Sequence, residues 1–118
     1  MRQYAAAYYD KAFSKTDKII TPKKSDFTTH VYHQYVLQLN GVDRDALMSH
    51  LQSKGIACAI YYPVPLHEQK AYQDPRYKKG DFPVSEALCE SVLALPMHTE
   101  FTDEQLDYVT STILDFIA

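Results

Sequence analysis

Five histidines, two cysteines, nine lysines and ten tyrosines supply the groups in this chain that could do chemistry, and their neighbours narrow what kind. His30 and His33 stand three apart and flank the start of a stretch that reads as a strand. Their side chains then point to opposite faces and cannot share a metal ion without a bend. No carboxylate or cysteine stands at ligand spacing, and no metal site is expected. His33 falls among the apolar positions of that strand, where a hydrogen-bonded core histidine is the plainer reading and a supporting place in a site the sharper one. Cys58 lies in an apolar run and Cys89 in a helical one, which suits two small buried hydrophobes. A Cys58–His67 nucleophile pair has only the two residue types in its favour. Lys11, Lys15, Lys18, Lys23, Lys24, Lys54, Lys70, Lys78 and Lys79 all have polar surroundings, whereas a Schiff-base lysine needs desolvation to lower its pKa. Gly41, Gly55 and Gly80 form no Gly-x-Gly arrangement and no phosphate loop.

The stretch Tyr61-Tyr62-Pro63-Val64-Pro65-Leu66-His67 is different. Adjacent tyrosines end an apolar run, a stiff Pro-x-Pro follows, and a histidine closes it. That places three hydrogen-bonding tips on a rigid support, because proline reduces the entropy lost when a loop is held in one shape. A surface loop whose tyrosines merely cover the edge of the core would contain the same residues.

The elements that must position this loop follow from periodicity. Residues 2–15 read as a helix with Tyr4, Ala5, Tyr8, Tyr9, Ala12 and Phe13 on a broad apolar face. Tyr8, Tyr9 and Phe13 are not all expected to find a core within this chain, so this helix should expose an apolar patch. Residues 14–29 read as an extended connection. Alternation over 31–39 gives a strand with Val31, His33, Tyr35, Leu37 and Leu39 on one face. Asn40-Gly41 turns the chain, Asp43 caps a helix bearing Leu47, Met48 and Leu51, and Gly55 provides a left-handed end. Residues 56–61 read as a second strand beside the first. Residues 62–83 lack periodicity, and Pro63, Pro65 and Pro75 deny them long helices; such a segment inside a small domain is usually functional. Ser85 is read as the cap of a helix carrying Leu88, Cys89, Val92 and Leu93, and Leu95-Pro96-Met97 as a short extended return. Thr102 and Gln105 make a capping box for a last helix whose core face is Leu106, Val109, Ile113 and Phe116.

With 118 residues, the chain has the size of one domain and is short for a complete metabolic enzyme. Twelve basic against fifteen acidic side chains give a net charge of −3, which provides no positive field for nucleic acid. No apolar run reaches membrane-spanning length and no signal-peptide pattern opens the chain, so neither membrane insertion nor secretion is expected and the cytoplasm is the expected location.

Four segments together resemble one family. Thr29-His30-Val31-Tyr32-His33-Gln34-Tyr35, Gly55-Ile56 leading to Tyr61-Tyr62-Pro63-Val64-Pro65-Leu66-His67, Asp81-Phe82-Pro83-Val84-Ser85-Glu86, and Leu93-Ala94-Leu95-Pro96-Met97-His98 occur in that order. The order is similar to that in the C-terminal part of the DegT/DnrJ/StrS-type sugar aminotransferases, over nearly the whole chain. The resemblance implies an α+β domain: a small, mainly antiparallel sheet covered by helices, the small C-terminal domain of a fold-type I aminotransferase. Residues 1–20 would be the tail of the interdomain helix and connector, and 21–118 the small domain. It also implies pyridoxal 5′-phosphate as cofactor, glutamate as amino donor and a nucleotide-linked keto-sugar as acceptor. The partners implied are a large cofactor domain of the same protein and a second subunit in a homodimer. The Schiff-base lysine, the aspartate facing the pyridine nitrogen and the aromatic stacked on the ring would belong to that large domain.

Tyr61, Tyr62 and His67, with His33 in support, would bind substrate or cofactor as one wall of the active site, and no residue here would be catalytic. Members commonly carry His-Tyr-Pro where this chain has Tyr61-Tyr62-Pro63, so a phenol stands in place of an imidazole. Many carry arginine where Gln38 stands. A stand-alone binding or regulatory module of the same α+β type remains the alternative, separated by whether a large lysine-bearing domain precedes this sequence.

Overall fold

Ala5, Ala6, Tyr9 and Phe13 recur at helical spacing, and all four are buried along α1 (Arg2–Phe13). The computed structural model, which describes residues 1–118, thereby corrects the expectation of an exposed apolar helix. Tyr9 and Phe13 are fully covered and Tyr8 is half-buried, because α1 packs against the last helix, α4 (Asp103–Ile117). The Tyr4 hydroxyl also donates to Asp103 Oδ1 at 2.7 Å, joining the starts of both helices.

The sheet has three antiparallel strands in the order β1 (Ile19–Ile20), β2 (Tyr35–Leu39), β3 (Val92–Leu95). The two isoleucines inside the expected connection form its edge strand, Ile19 opposite Leu39. The α+β class and antiparallel sheet are as read from the sequence, but four local readings need correction.

First, β2 begins at Tyr35 rather than Val31. Tyr32 adopts a left-handed conformation (φ 47°), and its N–H donates to His30 Nδ1 at 2.9 Å. That bend reverses the inside–outside alternation, so Tyr32 is buried while Val31 and His33 are exposed. His33 is therefore not a core histidine. Second, the segment after residue 55 makes one bridge, Ala59 with Ala94, and lies beside β3 rather than β2. Third, Pro83 occupies the first turn of α3 (Pro83–Ser91) and Phe82 precedes it, so Ser85 caps nothing. Fourth, α3 stops at Ser91, and the apolar Val92 and Leu93 enter β3, where every residue is buried. A strand covered on both faces has no polar alternation to mark where it begins.

α2 (Arg44–Ser53) and α4 follow the sequence reading closely. Asp43 accepts from the Ala46 amide at 3.0 Å. Gly55, at φ 72°, ends α2 with Ile56 N–H donating to Leu51 O at 2.9 Å and Gly55 N–H to Gln52 O at 3.0 Å. Thr102 and Gln105 form the reciprocal capping box of α4. Ile117, rather than the half-buried Phe116, completes the core face of α4. Helices α1, α2 and α4 and the Tyr35, Leu37 and Leu39 face of β2 contribute to one apolar core.

Candidate functional site

The Tyr61–His67 stretch leaves the sheet edge at the Ala59 bridge and passes into two short 3₁₀ turns, Leu66–Glu68 and Lys70–Tyr72. Pro65 holds extended geometry (φ −61°, ψ 148°) immediately before the first turn. Tyr61 and Tyr62 are exposed, 42% and 66%, with ring centres 5.5 Å apart.

Tyr61 and His33 line the same cleft, about 480 Å³, together with Cys58, Ala59, Ala94 and Met97. The bend at Tyr32 thus takes His33 out of the core and brings it to the Tyr61 cleft. Tyr62 does not line this cleft. Burial pushes the Cys58 thiol up, away from the reactive thiolate, and its Sγ lies 3.9 Å from Met48 O.

His67 belongs to a separate arrangement. Its imidazole is 8% exposed, and Nε2 lies 2.9 Å from Glu86 Oε1. The same oxygen accepts from the Gly80 amide at 2.7 Å and the Phe82 amide at 3.4 Å. Phe82 packs on the imidazole at 4.8 Å between ring centres. Burial pushes the Glu86 carboxyl up, but the Gly80 amide, the His67 imidazole and the Phe82 amide outweigh it and hold it below the usual carboxylate range. One carboxylate therefore clasps both ends of the loop over residues 67–82, and His67 is directed into the loop rather than towards the Tyr61 cleft. A Cys58–His67 pair has no place in this geometry.

Sequence reasoning assigned no role to Glu86. Its position in the first turn of a helix opened by Pro83 was the available signal, since a carboxylate there meets free amides and the positive end of the helix dipole. The Tyr35 hydroxyl, which donates to Asp10 beneath the sheet, was likewise unassigned.

A groove of about 470 Å³ between α1 and α4 includes Tyr4, Tyr8, Lys11 and Asp107, but the Tyr4 hydroxyl is already committed to Asp103. All nine lysines are exposed. No helix is long and apolar enough to cross a membrane.

The model of the DegT/DnrJ/EryC1/StrS aminotransferase family matches residues 1–114. The chain belongs to this family. Among curated relatives, a protein of Geobacillus stearothermophilus named "Pleiotropic regulatory protein" is 38% identical over 98% of this chain and 31% of its own length. The UDP-N-acetyl-3-dehydro-alpha-D-glucosamine 3-aminotransferase of Acidithiobacillus ferrooxidans is 38% identical over 95% of this chain and 29% of its own length. Among solved structures, S. venezuelae DesV in complex with ketimine intermediate superposes with a TM-score of 0.88 at 29% identity, covering 97% of this chain and 30% of DesV. The chain therefore spans about 30% of the length of the family members it matches. The α+β fold read from the sequence is that of a segment of these aminotransferases.

Proposed function

We propose that this chain is the small C-terminal domain of a pyridoxal phosphate-dependent aminotransferase that transfers an amino group from glutamate to a nucleotide-linked keto-sugar. In this reading residues 1–20 are the tail of an interdomain helix and connector, and 21–118 are the small domain. A large domain of the same protein holds the cofactor, and the whole works as a cytoplasmic homodimer. Family membership supports the reaction class, and the cleft shared by Tyr61 and His33 is the observation that carries the site.

Pyridoxal phosphate, when bound, supplies the carbonyl and electron sink for amino transfer. The nine exposed lysines do not suit covalent attachment of that group, because a Schiff-base amine is activated by desolvation and none of them is buried. Mixing this chain with pyridoxal phosphate is therefore expected to give no saturable absorbance band that borohydride fixes onto one lysine. Selective labelling of a single lysine would reverse this assignment.

What the chain supplies in this reading is hydrogen-bonding surface. The Tyr61 phenol donates to a phosphate or sugar oxygen, His33 supports it across the cleft, and Tyr62 contacts substrate at the rim. A hydrogen bond to a charged acceptor is worth about 1.5–3 kcal/mol. In the protein carrying the large domain, Tyr61→Phe should lower kcat/KM by roughly 10- to 100-fold, at about tenfold per 1.4 kcal/mol. The melting temperature should stay put, because the ring is retained. Unchanged kinetics for both glutamate and the sugar would leave Tyr61 as a tyrosine covering the core edge. Release of 2-oxoglutarate from glutamate with a keto-sugar nucleotide tests the reaction itself, and its failure with a folded, cofactor-loaded protein would favour the regulatory alternative.

A further inference from the structure

His67, Glu68 and Glu86 converge although Glu86 stands far along the chain from the other two. One ligand atom from each lies within 4.8 Å of the others. His67 Nε2 is 2.9 Å from Glu86 Oε1 and 3.8 Å from Glu68 Oε1. Donors held at about 2.0–2.2 Å from one tetrahedral ion lie roughly 3.3–3.6 Å apart, so side-chain shifts of about an ångström would seat all three.

Three further observations favour a ligand over mere loop packing. The imidazole is 8% exposed, with Nε2 turned towards both carboxylates rather than to solvent. The hydrogen bonds to the Glu86 carboxylate fall on Oε1, which leaves Oε2 for a cation while the Gly80 and Phe82 amides keep their acceptor. A solvent-open cleft of about 510 Å³, lined by His67, Glu68 and Asp74 together with Lys78 and Lys79, gives an entry path to two of the three ligands.

We propose that His67 Nε2, Glu68 and Glu86 bind a divalent transition-metal ion. One imidazole and two carboxylates suit Zn²⁺, whereas Mg²⁺ prefers an all-oxygen shell and keeps its waters. The ligand is neutral imidazole with its proton on Nδ1: an imidazolium releases its Nε2 proton to water on binding, and a neutral Nε2–H ring passes to the Nδ1–H tautomer. The ion would join the start of the loop, at His67 and Glu68, to the first turn of α3 at Glu86, and so add a second tie beside the Glu86 clasp. This assignment stands on side-chain placement alone and is independent of the aminotransfer reading.

The test is titration of the 118-residue chain with Zn²⁺ and, separately, Mg²⁺, followed by ¹H–¹⁵N NMR. Saturable one-to-one shifts centred on residues 66–68 and 80–86 are expected with Zn²⁺ and not with Mg²⁺. Glu68→Gln is the diagnostic variant, because the Glu68 carboxylate has His67, 3.8 Å away, as its polar neighbour and holds no part of the fold together. It should keep the spectrum of the folded chain and weaken Zn²⁺ binding about tenfold or more, since affinity follows the number of charged ligands. Shifts centred on the other histidines, Glu68→Gln affinity equal to the parent's, an equal Mg²⁺ response, or no saturation at millimolar Zn²⁺ would each overturn the proposal.

Discussion

Tyr35→Ala should lower the stability of the domain by about 3–5 kcal/mol, the cost of deleting a large buried aromatic ring. The Tyr35 ring is fully buried, with the Tyr9 ring centre 5.0 Å away and that of Tyr32 6.3 Å away, and it pairs across the sheet with Leu95. Alanine would leave a cavity where α1, β2 and β3 meet, and it would also strip Asp10 of its hydroxyl donor. Burial, reinforced by Asp10, pushes the Tyr35 phenol far up, so it remains a neutral donor throughout the working pH range. Tyr35→Phe separates the two contributions: it keeps the ring and loses about 1.5–3 kcal/mol for the hydrogen bond to a carboxylate. At roughly 3–6 °C per kcal/mol for a domain of this size, calorimetry should find the alanine variant melting about 10–30 °C lower. A drop below about 1 kcal/mol for Tyr35→Ala would mean that the ring does not hold α1 to the sheet.

Glu86→Ala should act in a different place, loosening residues 67–82 while the core stays folded. It removes the acceptor shared by the His67 imidazole and the Gly80 and Phe82 amides. The loop has no strand pairing, and its exposed apolar residues, Tyr72, Tyr77 and Phe82, add little burial to replace the clasp. Losing hydrogen bonds to a charged acceptor should make local opening easier by about 1.5–3 kcal/mol, or roughly ten- to a hundredfold in the exchange rate of the Gly80 amide. Proteolysis between 69 and 81 should accelerate with it, whereas amides of β2 and β3 should exchange at unchanged rates. Glu86→Gln retains one carbonyl acceptor and should fall between the two. If the Gly80 amide exchanges at the parent rate in Glu86→Ala, the clasp is not what holds the loop.

How legible each part was depended on how local its cause is. The capping box at Thr102, the Asp43 cap and the Gly55 terminus were read correctly, because each is set by atoms within a few residues. The ends of β2 and β3 were not. A left-handed Tyr32 is unfavourable on its own and persists where its buried ring and the His30 acceptor hold it, and neither partnership shows in alternation. Val92 and Leu93 suit a helix or a doubly covered strand equally well as an isolated pattern; pairing with Gln38 and Leu37 decides for the strand.

The same division runs through the candidate site. From residue types and order alone came the α+β class, the family, and the Tyr61–His67 stretch as its distinctive segment, since prolines and adjacent tyrosines impose stiffness and polarity wherever the chain places them. Only the tertiary structure separated the members of that stretch. It put Tyr61 with His33 on one cleft, and it turned His67 inward onto Glu86, nineteen residues away. Side-chain partners at that separation are chosen by how the sheet, α3 and the loop between them pack, and no local propensity carries that information.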